Sequence, residues 1–398
     1  MPRVTLDFRA GRGWIVRLLV FGLALTSPSP RYPADQSPPT PRPASIAIPA
    51  TAKFPGYAPD LIRRAYGVDR LAQNGSGQVI AVVSASGASS VGADLRVFDQ
   101  TFGLPSINGD GAHPCTIARG PHPCFERVDT GGPPVYLEDW ANESALGVEW
   151  AHAIAPGADI LLVEVPRANF TDLLRGVDLA ARRASVVAMS WGSVEFPGEG
   201  SLDSHFQRAD VSFLAATGDM GGGPLYPAAS PYVIAVGGTT LQLGSNGQRE
   251  GETTWIGSGF GESLFEPRPG YQQKEAAATS PHRQTPDVVY SANPDFGYPV
   301  YNSQSLYGHQ GWLRLGGTSA AVPQWAALIA LANQSRDGPP LTSTNIAQSP
   351  LYQVAEGKAT VFRAIPPDKA SGPTSGLGAP RSERLVPALA TIDLRRPG

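Results

Sequence analysis

The stretch ILLVEVPRANFTDLLRGVDLAARRASVVAM, residues 160–189, decides the fold. It opens with Ile160–Val165 and closes with Val186–Met189, two short runs rich in β-branched residues and apolar on both faces. Between them Phe170–Arg183 has the length of a helix. A strand that is apolar on both faces must be covered on both sides, and a helical crossover joins two such strands in parallel. The unit is therefore β-α-β. Working outward, Val79–Val83, Val211–Ala216 and Val233–Val236 read as further buried strands, and Ser201–Ala209 as another crossover helix. Ala320–Gln334 is an apolar helix that has to lie in the core. An α/β domain with a central, mostly parallel sheet flanked by helices follows. No internal repeat and no second shift of composition appears, so residues 56–398 are expected as one domain, loop-rich from Gly357 until Leu385–Leu389.

Composition narrows the function. With 45 Gly and 39 Pro among 398 residues the chain is neither a coiled coil nor a helical bundle. The glycines have no three-residue period and 41% of the residues are hydrophobic, which excludes a collagen-like or wholly disordered chain. A net charge of -3 with 16% charged residues gives no electrostatic footprint for nucleic acid. Two Cys and six His cannot furnish a Cys-rich zinc module.

The first 55 residues read as address and spacer. Arg3, Arg9, Arg12 and Arg17 precede the apolar run Leu18–Leu25, which suits a signal-peptide core and is too short for a bilayer span, so residues 1–27 are expected to direct export. No clean small-x-small cleavage site follows. Residues 28–55 are expected as a Pro-rich linker that need not pack. Cys115 and Cys124 close a short loop, and in an exported chain a disulfide is the natural pairing.

The search for chemistry starts from nucleophiles. In GGTSAAVPQWAALIALANQ, Ser319 follows Gly316–Gly317 and opens a buried helix, where the helix N-terminus favours developing negative charge and bare backbone admits a substrate. The plainer alternative is that Thr318 or Ser319 caps the helix. A nucleophile elbow would need Gly at 321, where Ala321 stands. His113, His122, His205, His282 and His309 sit in polar or surface settings, unlike a catalytic histidine. His152, on the predicted helix Leu137–Ala153, points about 180° from Glu143, whereas Trp140, Leu146 and Trp150 lie within about 60° of it. Glu143 is thus a carboxylate on an aromatic, inward face, which calls for a job or a partner.

ESALGVEWAHAIAPGADILLVE, MSWGS, AATGDMGGGPLYPAASPYVIAVGGTTL, RQTPDVVYSANP and GGTSAAVPQWAALIALANQ, in this order, resemble the sedolisin, or serine-carboxyl peptidase, family. The resemblance covers Tyr57 to Leu389. It implies a subtilisin-like fold and a triad in which Glu replaces His. Motif by motif, Glu143 falls on the base, Ser319 on the nucleophile and Asp219 on the oxyanion-hole aspartate. It implies peptide-bond hydrolysis at acid pH, because a carboxyl that donates to an oxyanion must be protonated. Ser190–Gly192, Gly257–Gly261 and Asp287 are expected in the cleft walls.

The chain departs from the family pattern where the second triad acid should stand, four residues after Glu143, at Gly147. Asp139, at about -40° on the same helix, is the nearby acid that could substitute, and its plainer reading is a helix-start acid. Glu149, about 120° away, reads as structural. Fifty-five residues are too few for the family's folded prosegment. The family's calcium ligands are replaced by Ala364, in FRAI, and by Gly372, so no cofactor or metal is expected unless Asp368 reaches in. The sequence therefore supports a secreted, monomeric serine-carboxyl endopeptidase-like protein acting on polypeptide, impaired by the lost acid. The alternative is a catalytically silent homologue that binds peptides or a protein partner. Neither reading involves nucleic acid or a membrane span.

Overall fold

The computed structural model describes residues 38–49, 56–85, 87–110, 113–119, 122–131, 136–273, 280–306, 309–343, 349–357, 360–368 and 374–393. All of them belong to the compact unit Ser37–Gly398. The signal-like segment 1–27, residues 28–37 and 50–55 of the linker, and Gly372 lie outside the described residues.

The 160–189 stretch folds as read. Two strands, β5 (Asp159–Glu164) and β6 (Val186–Met189), flank the helix α4 (Phe170–Ala180), and both pair in parallel with β3 (Val79–Ser84) between them. Outward on one side lies β4 (Phe125–Asp129). On the other lie β8 (Ser212–Ala216), β10 (Ile234–Leu243) and β14 (Val288–Ser291), all parallel, with β11 (Arg249–Thr254) antiparallel at the end. The sheet is mostly parallel, and its strands alternate their faces. Ile80 and Val82 of β3 enter the cluster built on α3 (Glu138–Ile154) and α5 (Thr318–Gln334), while Ala81 and Val83 enter the cluster under α4. Helices α1 (Pro59–Tyr66), α2 (Val91–Phe102), α6 (Pro350–Gly357) and α7 (Ser382–Ala390) complete the described helices. Cys115 and Cys124 form the expected disulfide.

Five readings change, the last of them at Asp287. The run from Val233 is one long strand, because its second half pairs with β11 and β14 after its first half leaves β8. Residues 201–209 are not an α-helix: a 3-10 helix spans Glu199–Phe206, entered through Gly198 at φ +88°. Helix α3 is buried on both faces, so His152, opposite Glu143, is buried too, with Nε2 2.9 Å from the Pro105 carbonyl. The Pro-rich stretch packs over residues 38–49. Its strand β1 (Arg42–Pro43) pairs antiparallel with β7 (Trp191–Val194), which also carries β9 (Leu225–Tyr226). Strand β2 (Ile46–Pro49) pairs antiparallel with the final residues of the sequence-distant run His309–Gly316. Proline in short edge strands is allowed because a missing N–H there breaks no central ladder.

Asp287, expected in a cleft wall, is instead an internal brace. Arg283, fully buried, grips it with Nη1–Oδ1 at 2.8 Å and Nη2–Oδ2 at 2.5 Å, and Asp287 also accepts from Ala235 N and the Tyr352 hydroxyl. Removing one partner of such a pair strands the other charge away from water. Arg283→Ala is expected to cost about 3–5 kcal/mol in urea unfolding; a cost under about 1 kcal/mol would show that the pair braces nothing.

Candidate active site

The carboxyl ends of parallel strands, where backbone groups run out of ladder partners, are where α/β sheets hold ligands. Ser190 follows β6 directly and Asp219 lies three residues past β8. Opposite them stands the first turn of α5, entered through Gly317 at φ +100°, a conformation open to glycine. Neither Thr318 nor Ser319 makes a side-chain cap of α5. Asp219 does that work from another loop: its Oδ1 accepts from Thr318 N at 2.7 Å and from Thr318 Oγ1 at 2.8 Å. Thr318 Oγ1 in turn accepts from Gly218 N at 3.2 Å.

Ser319 is fully buried, and its Oγ donates to the Ser190 carbonyl at 3.1 Å. The link is reciprocal for a reason in the sequence. Pro323 has no N–H for the carbonyl four residues back, and that carbonyl, Ser319 O, accepts from Ser190 Oγ at 3.2 Å instead. Proline thus ties the start of α5 to the end of β6. Sequence reading passed over Ser190 as a partner, although Pro323 inside an apolar helix was the available signal.

Glu143 projects from α3 into the same space and is 1% exposed. Burial pushes its carboxyl up to about 8; contacts with the Ser45 and Ser319 hydroxyls pull it down, the charge of Asp219 pushes it up, and the Ser190 hydroxyl pulls it down. Neither oxygen has a partner at full hydrogen-bond geometry among the described residues. Asp219 is pushed up to about 7 by burial, against the pull of its two Thr318 bonds. Its other oxygen, Oδ2, is buried and unpartnered. A neutral carboxylic acid fits this arrangement: Oδ1 accepts twice, and a proton on Oδ2 is free to be donated. Glu143, Ser319 and Asp219 therefore lie together in one buried space.

The fourth position differs. Asp139 is exposed in the first turn of α3, outside the burial that Glu143 and Asp219 share. Glu149, as expected, is structural: its carboxyl accepts from Tyr301 N at 3.1 Å. Gly147 backs onto β3, where a Cβ would lie 2.8 Å from Val82 Cγ1. The helix approaches the sheet closely because the residue is glycine. Gly147→Ala is expected to lose about 1–3 kcal/mol in urea unfolding, and Gly147→Asp more, without a gain in peptide hydrolysis. A stable, more active Gly147→Asp chain would show that the missing acid, not the packing, sets the position.

Residues 138–371 match the subtilase family, and the chain belongs to it. Within that family its kin are the sedolisins, and its fold is the subtilisin-like one. It is 33% identical over 290 residues to kumamolisin of Bacillus sp. (strain MN-32), a match that covers 62% of this chain and 50% of that protein. Against sedolisin of Pseudomonas sp. (strain 101) the identity is 26% over 285 residues, covering 63% and 46%. The chain thus spans about half the length of these curated relatives. Among solved structures, Pseudomonas sedolisin complexed with two molecules of pseudo-iodotyrostatin superposes with a TM-score of 0.68 at 22% identity, over 84% of this chain and 98% of that one.

Proposed function

We propose that the protein is a serine-carboxyl peptidase that hydrolyses peptide bonds in polypeptide substrates. The observation that carries this reading is the convergence of Ser319, a buried Glu143 in contact with it, and an Asp219 whose one oxygen is occupied while the other is free. Ser319 Oγ attacks the carbonyl carbon and Glu143 takes the proton. The Ser319 N–H and protonated Asp219 hold the oxyanion, and Glu143 returns the proton to the leaving amine. Burial is the largest cause holding both carboxyls up, so when water enters an open cleft both move down toward the ordinary carboxylate range. Turnover then falls in the acid range, where Asp219 keeps a proton.

The Arg-rich start with its apolar run and the disulfide support export, and we read the protein as a secreted monomer that binds no nucleic acid. Among the described residues no helix is long and apolar enough to cross a membrane. The calcium ion usual in the family is not part of this reading: Ala364 presents an exposed methyl where the family pattern needs a carboxylate, and Gly372 stands at the other ligand position. Gly147 favours a second reading, a silent homologue that binds peptide in the same cleft. Cleavage of a denatured protein from pH 3 to 8 by the chain and by Ser319→Ala separates the two. Loss of cleavage in the variant is expected; equal background cleavage by both overturns the peptidase.

A further inference from the structure

A pocket of about 310 Å³ shares no lining residue with the candidate active site. Three elements far apart in sequence build it. Arg64 comes from the last turn of α1, with Asp69 and Arg70 just past its end; Gln248 lies in the turn joining β10 to β11 and Arg249 opens β11; Arg363 comes from the short strand Phe362–Arg363. Glycine lets two of them meet. A Cβ on Gly247, at φ +74°, would lie 2.7 Å from Leu61 Cδ2 and 3.4 Å from Arg64 Nη1, so the turn rests directly on α1.

The pocket gathers four guanidinium groups against one lining acid, Asp69. Three of them meet a carboxylate on one side only. Arg64 Nη2 lies 3.3 Å from Asp60, Arg70 Nη1 lies 3.5 Å from Glu383, and Arg249 Nη2 lies 2.6 Å from the buried Glu252. Arg249 Nη1, on the same fork, is buried without a hydrogen-bond partner among the described residues. Arg363 has no carboxylate ion-pair partner among those residues; its Nη1 donates to the Pro380 carbonyl at 2.9 Å. Burial and the charges of Arg249 and Arg381 push its guanidinium down, while Glu383 and Glu252 pull the other way. Like charges are thus held close where water screens them little, and an anion between them would turn that repulsion into attraction.

We propose that this pocket binds a phosphate-type oxyanion, free or carried as the monoester of a small polar molecule. The arrangement selects the shape of the ligand as well as its charge. One arginine fork satisfies a flat carboxylate, whereas guanidiniums converging from three elements match an anion with acceptor oxygens pointing several ways. The volume lies at the small end of ligand pockets, roughly 300–1,000 Å³, which leaves room beside the anion for a small polar group within reach of the Gln248 amide. The bound ion ties the end of α1, the start of β11 and the strand at Arg363 to one another. Nothing in this depends on the peptidase reading.

Titration calorimetry of the full chain with inorganic phosphate and with glycerol phosphate, each against sodium chloride at equal ionic strength, tests the site. One saturable event with a dissociation constant of about 1 mM or tighter is expected. The tighter of the two ligands tells whether the site takes the free ion or a monoester. Arg64→Glu reverses a charge on an exposed side chain that the fold does not need, and Arg363→Gln removes the guanidinium that has no carboxylate ion-pair partner among the described residues; each should weaken binding at least about tenfold. Amide hydrogen exchange should slow on binding in residues 61–70, 247–250 and 361–363. Should Arg363→Gln not fold, Arg64→Glu with the exchange pattern decides. No saturable heat with either ligand, an affinity that a folded variant leaves unchanged, or protection confined to other segments overturns the proposal.

Discussion

Glu143→Gln and Ser319→Ala should each lower kcat/KM on an added peptide by roughly 10,000-fold, and the double variant should lose no more than either alone. Glutamine keeps the size and neutral charge that a protonated Glu143 has, so the fold at acid pH should change little. It cannot take a proton, so the hydroxyl of Ser319 stays an alcohol. Removing that hydroxyl stops the same step from the other side, which is why the losses do not add. A Glu143→Gln chain retaining more than a tenth of the activity would remove Glu143 as the base. Additive losses would mean that the two residues act in different steps.

The central strands and α5 were legible because their physics is local. Runs such as Val186–Met189 are apolar on both faces and fit one environment, a covered parallel strand. Ser319 and Glu143 stood out for a related reason: a hydroxyl after two glycines and a carboxylate on an aromatic face are each anomalous within one helical turn. Asp219 was found through its motif alone, since its capping of α5 spans 99 residues and leaves no local trace. The contact of Ser45 with Glu143 was hidden altogether. Proline-rich composition says that a segment is extended and solvable by water; it does not say that a sheet edge at Trp191–Val194 awaits it. Gly147 was read as a missing acid because the helix alone shows only the empty side-chain position. The contact with Val82, which supplies a reason for glycine, comes from a strand 65 residues earlier and needs the tertiary fold.

The protein should be most resistant to urea near pH 4–5 and lose several kcal/mol of stability as pH rises to 8. Burial holds Glu143, Glu266 and Asp99 up to about 8 and Asp219 up to about 7, and it raises Glu199 further, to about 10. Glu195 and Asp203 are raised as well, in a cluster where Glu195 faces Glu199 and Asp203 faces Glu266. Each of these groups binds its proton more tightly folded than unfolded. Its contribution is therefore complete below the ordinary carboxylate range and is lost as pH climbs through the folded value. A carboxyl holding its proton from about pH 4.5 to 8 gives up on the order of 4 kcal/mol over that window, and neighbours that titrate together give less than the sum. Two buried groups work the other way: His152 is pushed down to about 4 by burial, and Asp172 is held down by its bond from Arg167, so their contributions fade as pH falls. These two cannot outweigh the seven raised carboxyls, so the net slope is toward acid. Within the cluster, the charges of Arg283 on Glu266 and His282 on Glu195 oppose the rise without cancelling it. Glu266→Gln should accordingly flatten the fall between pH 5 and 8 while leaving the stability at pH 4.5 within about 1 kcal/mol of the natural chain's. Urea midpoints taken across that range decide it: a stability that rises from pH 5 to 8, or a Glu266→Gln chain with an unchanged slope, would show that these carboxyls are ionised in the fold.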